Sequence, residues 1–133
     1  MNIIFEALIV GSYSIINYVI ISNILYFNKY TLLFIIGFIK HLIGYYSGLH
    51  SYYCVNGKAC KEITTKYIYA YISNYELVIE SLFEGLLFLI IGSILIYLKL
   101  NIIVIYFLLG FILHLLFEQL SIHSHFCKKR CKK

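Results

Sequence analysis

Four long apolar runs set the pattern of this chain, at residues 3–27, 31–53, 77–98 and 102–122, with sparse charges at or near their ends. Each matches or exceeds the roughly 20 residues that a membrane-spanning helix needs. The first is diluted by Glu6, Ser12, Ser14, Asn17, Ser22 and Asn23. The runs are continuous rather than alternating, which argues against a barrel of short strands. The pattern therefore predicts four transmembrane helices. No proline occurs anywhere, so no proline kink is expected. The stretch KEITTKYIYAYISNY, residues 61–75, is polar first and tyrosine-rich later, and reads as a short interfacial helix.

Composition supports lipid as the solvent. The chain has 133 residues, of which 62% are apolar and 13% charged. A soluble domain carries about 25% charged residues. A chain this short cannot hide so much apolar surface in its own core. The N-terminal run has no basic region before it and no A-x-A-like site after it, so it reads as a retained helix rather than a cleaved signal.

The basic residues suggest an orientation. Lys29 and Lys99 fall in the turns after the first and third runs. Lys58, Lys61 and Lys66 lie in the central loop, and Lys128, Lys129, Arg130, Lys132 and Lys133 in the tail. With four spans, both termini and the central loop share one side, which holds these eight of the eleven basic residues. By the positive-inside rule that side is expected to be cytoplasmic. The basic C-terminal tail suits anionic lipid headgroups. Nucleic acid is not an expected partner, because the basic run is short and tied to a membrane end.

The chain also repeats itself. GFIKHLIGYYSGLHSYYC, residues 37–54, aligns without a gap on GFILHLLFEQLSIHSHFC, residues 110–127. Eight of the eighteen positions are identical, including Gly37/Gly110, His41/His114, His50/His123, Ser51/Ser124 and Cys54/Cys127. A one-residue gap upstream also pairs Glu6 with Glu80 and Gly11 with Gly85. The fold expected is all-α: an integral-membrane four-helix bundle made of two parallel two-helix repeats. It forms one transmembrane domain, residues 1–133. Repeat A covers residues 3–54 and repeat B residues 77–127. A cytoplasmic or interfacial loop (55–76) joins them, and the basic tail (128–133) follows. Helices 2 and 4 are then symmetry mates.

Depth sorts the polar residues into candidate chemistries. His50, Cys54, His123 and Cys127 fall at the ends of helices 2 and 4, near Cys60 and Cys131. Two imidazoles and two thiols suit tetrahedral zinc, or copper as Cu(I). His41 and His114, deeper in the same helices, form a bis-histidine haem b alternative. On straight helices, nine residues separate His41 from His50 by a half-turn, so the two histidine layers should not face one axis together. Lys40, Glu84 and Glu118 are intramembrane polar groups, and His114 and Glu118 sit one turn apart, close enough to share a proton. Gly37 and Gly110 are helix-packing positions.

The four cysteines also admit a thiol oxidoreductase. However, no C-x-x-C is present, and a reducing cytoplasm would argue against stable disulfides. Cys127 and Cys131 flank a basic run typical of S-palmitoylation sites. No phosphate loop, H-E-x-x-H or G-x-S-x-G occurs, and no catalytic residue is assigned. The plainest expectation is a non-enzymatic multi-pass protein acting by membrane assembly, with homo-oligomerisation through small-residue faces. A haem- or metal-binding redox protein or carrier is the alternative.

Overall fold

A computed structural model describes residues 2–63 and 69–132. The fold is all-α. Four long helices dominate: α1 (Ile3–Ile24), α2 (Lys29–Tyr46), α5 (Asn74–Tyr97) and α6 (Ile102–Gln119). Three short ones complete it: α3 (Leu49–Asn56), α4 (Lys58–Ile63) and α7 (Ile122–Arg130). One two-residue antiparallel pairing joins β1 (Tyr69–Ala70) to β2 (Cys131–Lys132).

Polar side chains start each long helix. Asn2, Asn28, Ser73 and Asn101 each accept a hydrogen bond from a backbone N–H of the first turn. Such caps satisfy donors that have no partner inside the helix. The serines and asparagines that dilute α1 are satisfied within it: Ser14 Oγ, for example, donates to the Val10 carbonyl at 2.9 Å and Asn17 Nδ2 to the Tyr13 carbonyl at 2.8 Å.

Helices α1, α5 and α6 are long and apolar enough to cross a membrane, and α2 with α3 makes a fourth span if that bent pair counts as one. The second apolar run, read as continuous through residue 53, breaks after Tyr46 and turns by 69°. Proline is not needed for this. Gly48 takes φ +81, a left-handed conformation open to glycine, and its N–H bonds to the Tyr45 carbonyl at 3.1 Å. The fourth run breaks likewise at Ser121, φ +59, whose N–H bonds to the Glu118 carbonyl at 3.2 Å. The interfacial helix expected over residues 61–75 is replaced by the end of α4, strand β1 and the start of α5, while residues 64–68 of that stretch lie outside the described residues.

α1 packs along α6, and α2 along α5. Close approach explains both contacts. A Cβ at Gly37 would lie 2.8 Å from Phe88, and one at Gly110 would lie 2.5 Å from the Val10 carbonyl oxygen. Ile21, Leu32, Leu33, Ile36, Phe88, Ile105, Tyr106 and Leu109 fill the half nearest the α1–α2 and α5–α6 turns. The opposite half carries the buried charged and imidazole groups, and α3, α4 and α7 close it as a cap. The outer helix faces are strongly apolar; Phe5, Ile20, Ile24, Ile90 and Ile94 are all more than half exposed. Water does not tolerate such continuous patches.

Candidate functional site

Under the cap lies a cavity of about 670 Å³. It falls within the size range of small-molecule pockets. Its charged and imidazole groups come from both helix pairs and from the cap.

On the α2–α5 side, Glu84 forms a buried ion pair with Lys40 Nζ and meets His41 Nδ1 at 2.7 Å. Glu80 Oε2 lies 3.6 Å from His41 Nε2. On the α1–α6 side, Glu6 Oε1 accepts the Lys58 backbone N–H at 2.7 Å, and Glu6 Oε2 lies 3.3 Å from His114 Nε2. The expected partner of His114 was Glu118. Instead Glu118 lies 2.9 Å from His123 Nδ1, because the turn at Ser121 swings His123 back over the end of α6.

The same two breaks correct the straight-helix geometry. His41 and His50 do come together, with ring centroids 4.9 Å apart, and His114 and His123 do so at 4.5 Å. All four line the cavity. Tyr53 and Phe126 bridge the two imidazole pairs: Phe126 packs against His50 at 5.7 Å and Tyr53 against His123 at 5.2 Å. Burial holds the His123 imidazole down, to about 4, so the ring is neutral at physiological pH.

Arg130 was counted only as a topology charge, and its role was missed. It is 6% exposed and donates to Glu76 Oε2 at 2.7 Å and Glu80 Oε1 at 2.6 Å. Burial disfavours the charged guanidinium, but the two carboxylates outweigh this and raise its pKa above the ordinary value. Only its depth under the cap distinguishes it from the exposed lysines beside it, and sequence spacing carries no such signal.

The cysteines form a second cluster behind Tyr53 and Phe126. Two disulfides cross-link it: Cys54–Cys131 and Cys60–Cys127. Stable disulfides were not expected. Both palmitoylation candidates, Cys127 and Cys131, are thereby occupied and buried. The Sγ atoms of Cys60, Cys127 and Cys131 all lie within 4.8 Å of one another, so as free thiolates they could hold a metal ion. His50 and His123 are not in that cluster; they face the cavity. The haem candidates His41 and His114 also face it, each with a ring nitrogen near a carboxylate. Ser51 Oγ accepts the Ala70 N–H at 3.2 Å, and the Tyr71 N–H bonds to the Arg130 carbonyl at 3.0 Å, which ties strand and cap together.

No family model, no curated protein and no solved structure matches this chain.

Proposed function

We propose that the chain is a four-span membrane protein made of two equivalent units, and that it binds a small molecule in the cavity between them without transforming it. The cavity carries this reading. Ionisable groups in a membrane span are costly to bury and usually serve a ligand or ion path. Here Lys40, His41, Glu84, His114 and Glu6 gather round one space.

Matched features support the two-unit reading. α2 and α6 are each 18 residues long, each follows an Asn cap, and each ends in a left-handed residue before a short helix. Glu80 faces His41 as Glu6 faces His114. Cys54 bonds to Cys131 as Cys127 bonds to Cys60.

The disulfides also favour an orientation opposite to the one the basic residues suggest. Paired, buried cysteines belong to an oxidising compartment. The cap, and with it both termini, is placed on that side in this reading. Protease access to a C-terminal tag in sealed membrane vesicles separates the two orientations.

Native mass spectrometry tests the binding function. Among the described residues a Cβ at Gly44 would meet only His50, at 3.3 Å from Nε2, so a larger side chain there takes up cavity space by moving one ring. Protein gently extracted from its membrane should retain a small molecule that Gly44→Leu loses. An empty wild-type protein that also takes up no added small molecule would overturn the reading.

One observation favours a second reading, thiol exchange. Cys60 Sγ and Cys131 Sγ, from different disulfides, lie 3.7 Å apart. A dithiol substrate could reduce one disulfide, become a disulfide itself, and pass the exchange to the other pair. Thiol trapping after incubation with a reduced dithiol peptide tests this: protection of all four cysteines would rule it out.

A further inference from the structure

Resting on the cavity reading above, we infer that the ligand is an uncharged, lipid-soluble molecule with a flat, oxygen-bearing ring, and that it enters sideways from the bilayer.

The entry route comes from residues that belong to two surfaces. Ile9, Ser12 and Ile16 on α1 and Phe83 on α5 line the cavity. All four are also well-exposed residues; Ile16 is 55% and Phe83 52% exposed. They sit within helices long and apolar enough to cross a membrane. The cavity rim is therefore continuous with the apolar outer face of the helices. The exposed lining residues Tyr52, His125 and Lys129 belong to the cap instead, so this apolar part of the rim is the side open to a lipid-soluble ligand.

The charge state comes from the ion pairs. The charged lining groups are Lys40, Lys129 and Arg130 against Glu6, Glu80 and Glu84. Each already has a partner: Lys40 with Glu84, Lys129 with Glu76, Arg130 with Glu76 and Glu80, and Glu6 with the Lys58 N–H and His114. An anionic ligand would have to displace a carboxylate and leave it stranded in a dry site, which is costly. A neutral ligand displaces nothing.

The ring and its oxygens come from what remains. Among the described residues, the lining side chains His41 and Tyr53 keep buried polar atoms, Nε2 and Oη, that make no hydrogen bond within 3.5 Å, with only a carboxylate in the neighbourhood of each: Glu80 Oε2 stands 3.6 Å from His41 Nε2, and Glu118 faces Tyr53. Buried groups of this kind cost free energy unless something bonds to them. The Tyr53 hydroxyl can donate to a ligand oxygen. Around them stand Tyr13, Phe83, Phe117 and Phe126, whose faces suit a flat ring.

Two probes test this on wild-type protein in nanodiscs, read by native mass spectrometry: decylubiquinone, a neutral ring with acceptor oxygens, and oleate, an anion with a comparable tail. Decylubiquinone should bind once per chain and saturably. Gly44→Leu should weaken it at least tenfold, as should Ile122→Trp, a lining position 37% exposed that guards against misfolding of the first variant. Ser12→Trp, at the rim, should slow loading with little change at equilibrium. Its native hydroxyl bonds within α1, to the Leu8 carbonyl at 2.9 Å.

Decylubiquinone binding that neither filling variant weakens would place it on the outer surface and overturn the inference. Oleate occupying the Gly44-sensitive site in its place would overturn the neutral class and leave the cavity reading standing. If neither probe binds, a co-purifying molecule that Gly44→Leu loses would likewise overturn only the ligand class. With no such molecule either, both readings fall.

Discussion

Glu84 meets His41 at 2.7 Å across the contact between α2 and α5, while its other oxygen takes Lys40. The carboxylate is thus shared by two basic groups from adjacent positions of one helix. Lys40 and Glu84 are both buried. Such a pair holds charge in a dry interior only while both members are present.

Removing one member should therefore cost more than removing both. Glu84→Gln leaves the Lys40 ammonium buried and unopposed, an effect of about 3–5 kcal/mol. The double variant Lys40→Met/Glu84→Gln should recover most of that loss. Thermal unfolding in detergent, as a double-mutant cycle, gives the coupling; additive losses would mean that the pair is not a unit.

Bulk at the helix crossings should separate the helices. At Gly110 a Cβ would run into Ser14 Oγ and lie 2.5 Å from the Val10 carbonyl oxygen, which is backbone and cannot swing aside. Gly110→Ala should destabilise by about 1–3 kcal/mol. Gly44→Ala, whose new Cβ meets only the tip of His50, should cost far less. Equal losses at the two sites would contradict the α1–α6 contact.

The cysteines should report their own pairing. Non-reducing peptide mapping should recover Cys54 with Cys131 and Cys60 with Cys127. The bonds span 77 and 67 residues, and for closed loops of this length each is worth about 4 kcal/mol, less where the two loops overlap. Elemental analysis extends the test. Zinc or copper should bind only after reduction frees the thiolates. Metal at full stoichiometry in the oxidised protein would instead implicate the histidines.

Acid should loosen the cap. The native His123 pKa, about 4, lies below the ordinary value of 6.5. Between these values an opened cap binds a proton that the closed cap does not, so stability falls as pH falls from about 6.5 towards 4. The slope is at most about 1.4 kcal/mol per pH unit. Hydrogen exchange of the α7 amides at pH 7.5 and 5.5, corrected for intrinsic rates, should show more opening at the lower pH. His123→Asn should flatten the difference.

Periodicity and composition were enough to determine the class of object. Runs of apolar residues near 20 long, sparse charge and a short chain leave helices that need an apolar solvent, and the spans of α1, α5 and α6 were legible on that basis. So was the depth of His50, Cys54, His123 and Cys127 at the ends of their runs, because depth along a helix follows residue number. What sequence could not carry was direction across the helix axis after a break. One left-handed residue, at Gly48 and again at Ser121, turns each helix end, and only then do His50 and His123 face the same space as His41 and His114. Pairing was likewise a tertiary decision. Whether Cys54 bonds to Cys60 or Cys131, and whether Glu118 serves His114 or His123, depends on distances between segments that the turns bring together. Arg130 shows the same limit: its neighbours Lys128 and Lys129 are exposed, while the cap buries it against Glu76 and Glu80.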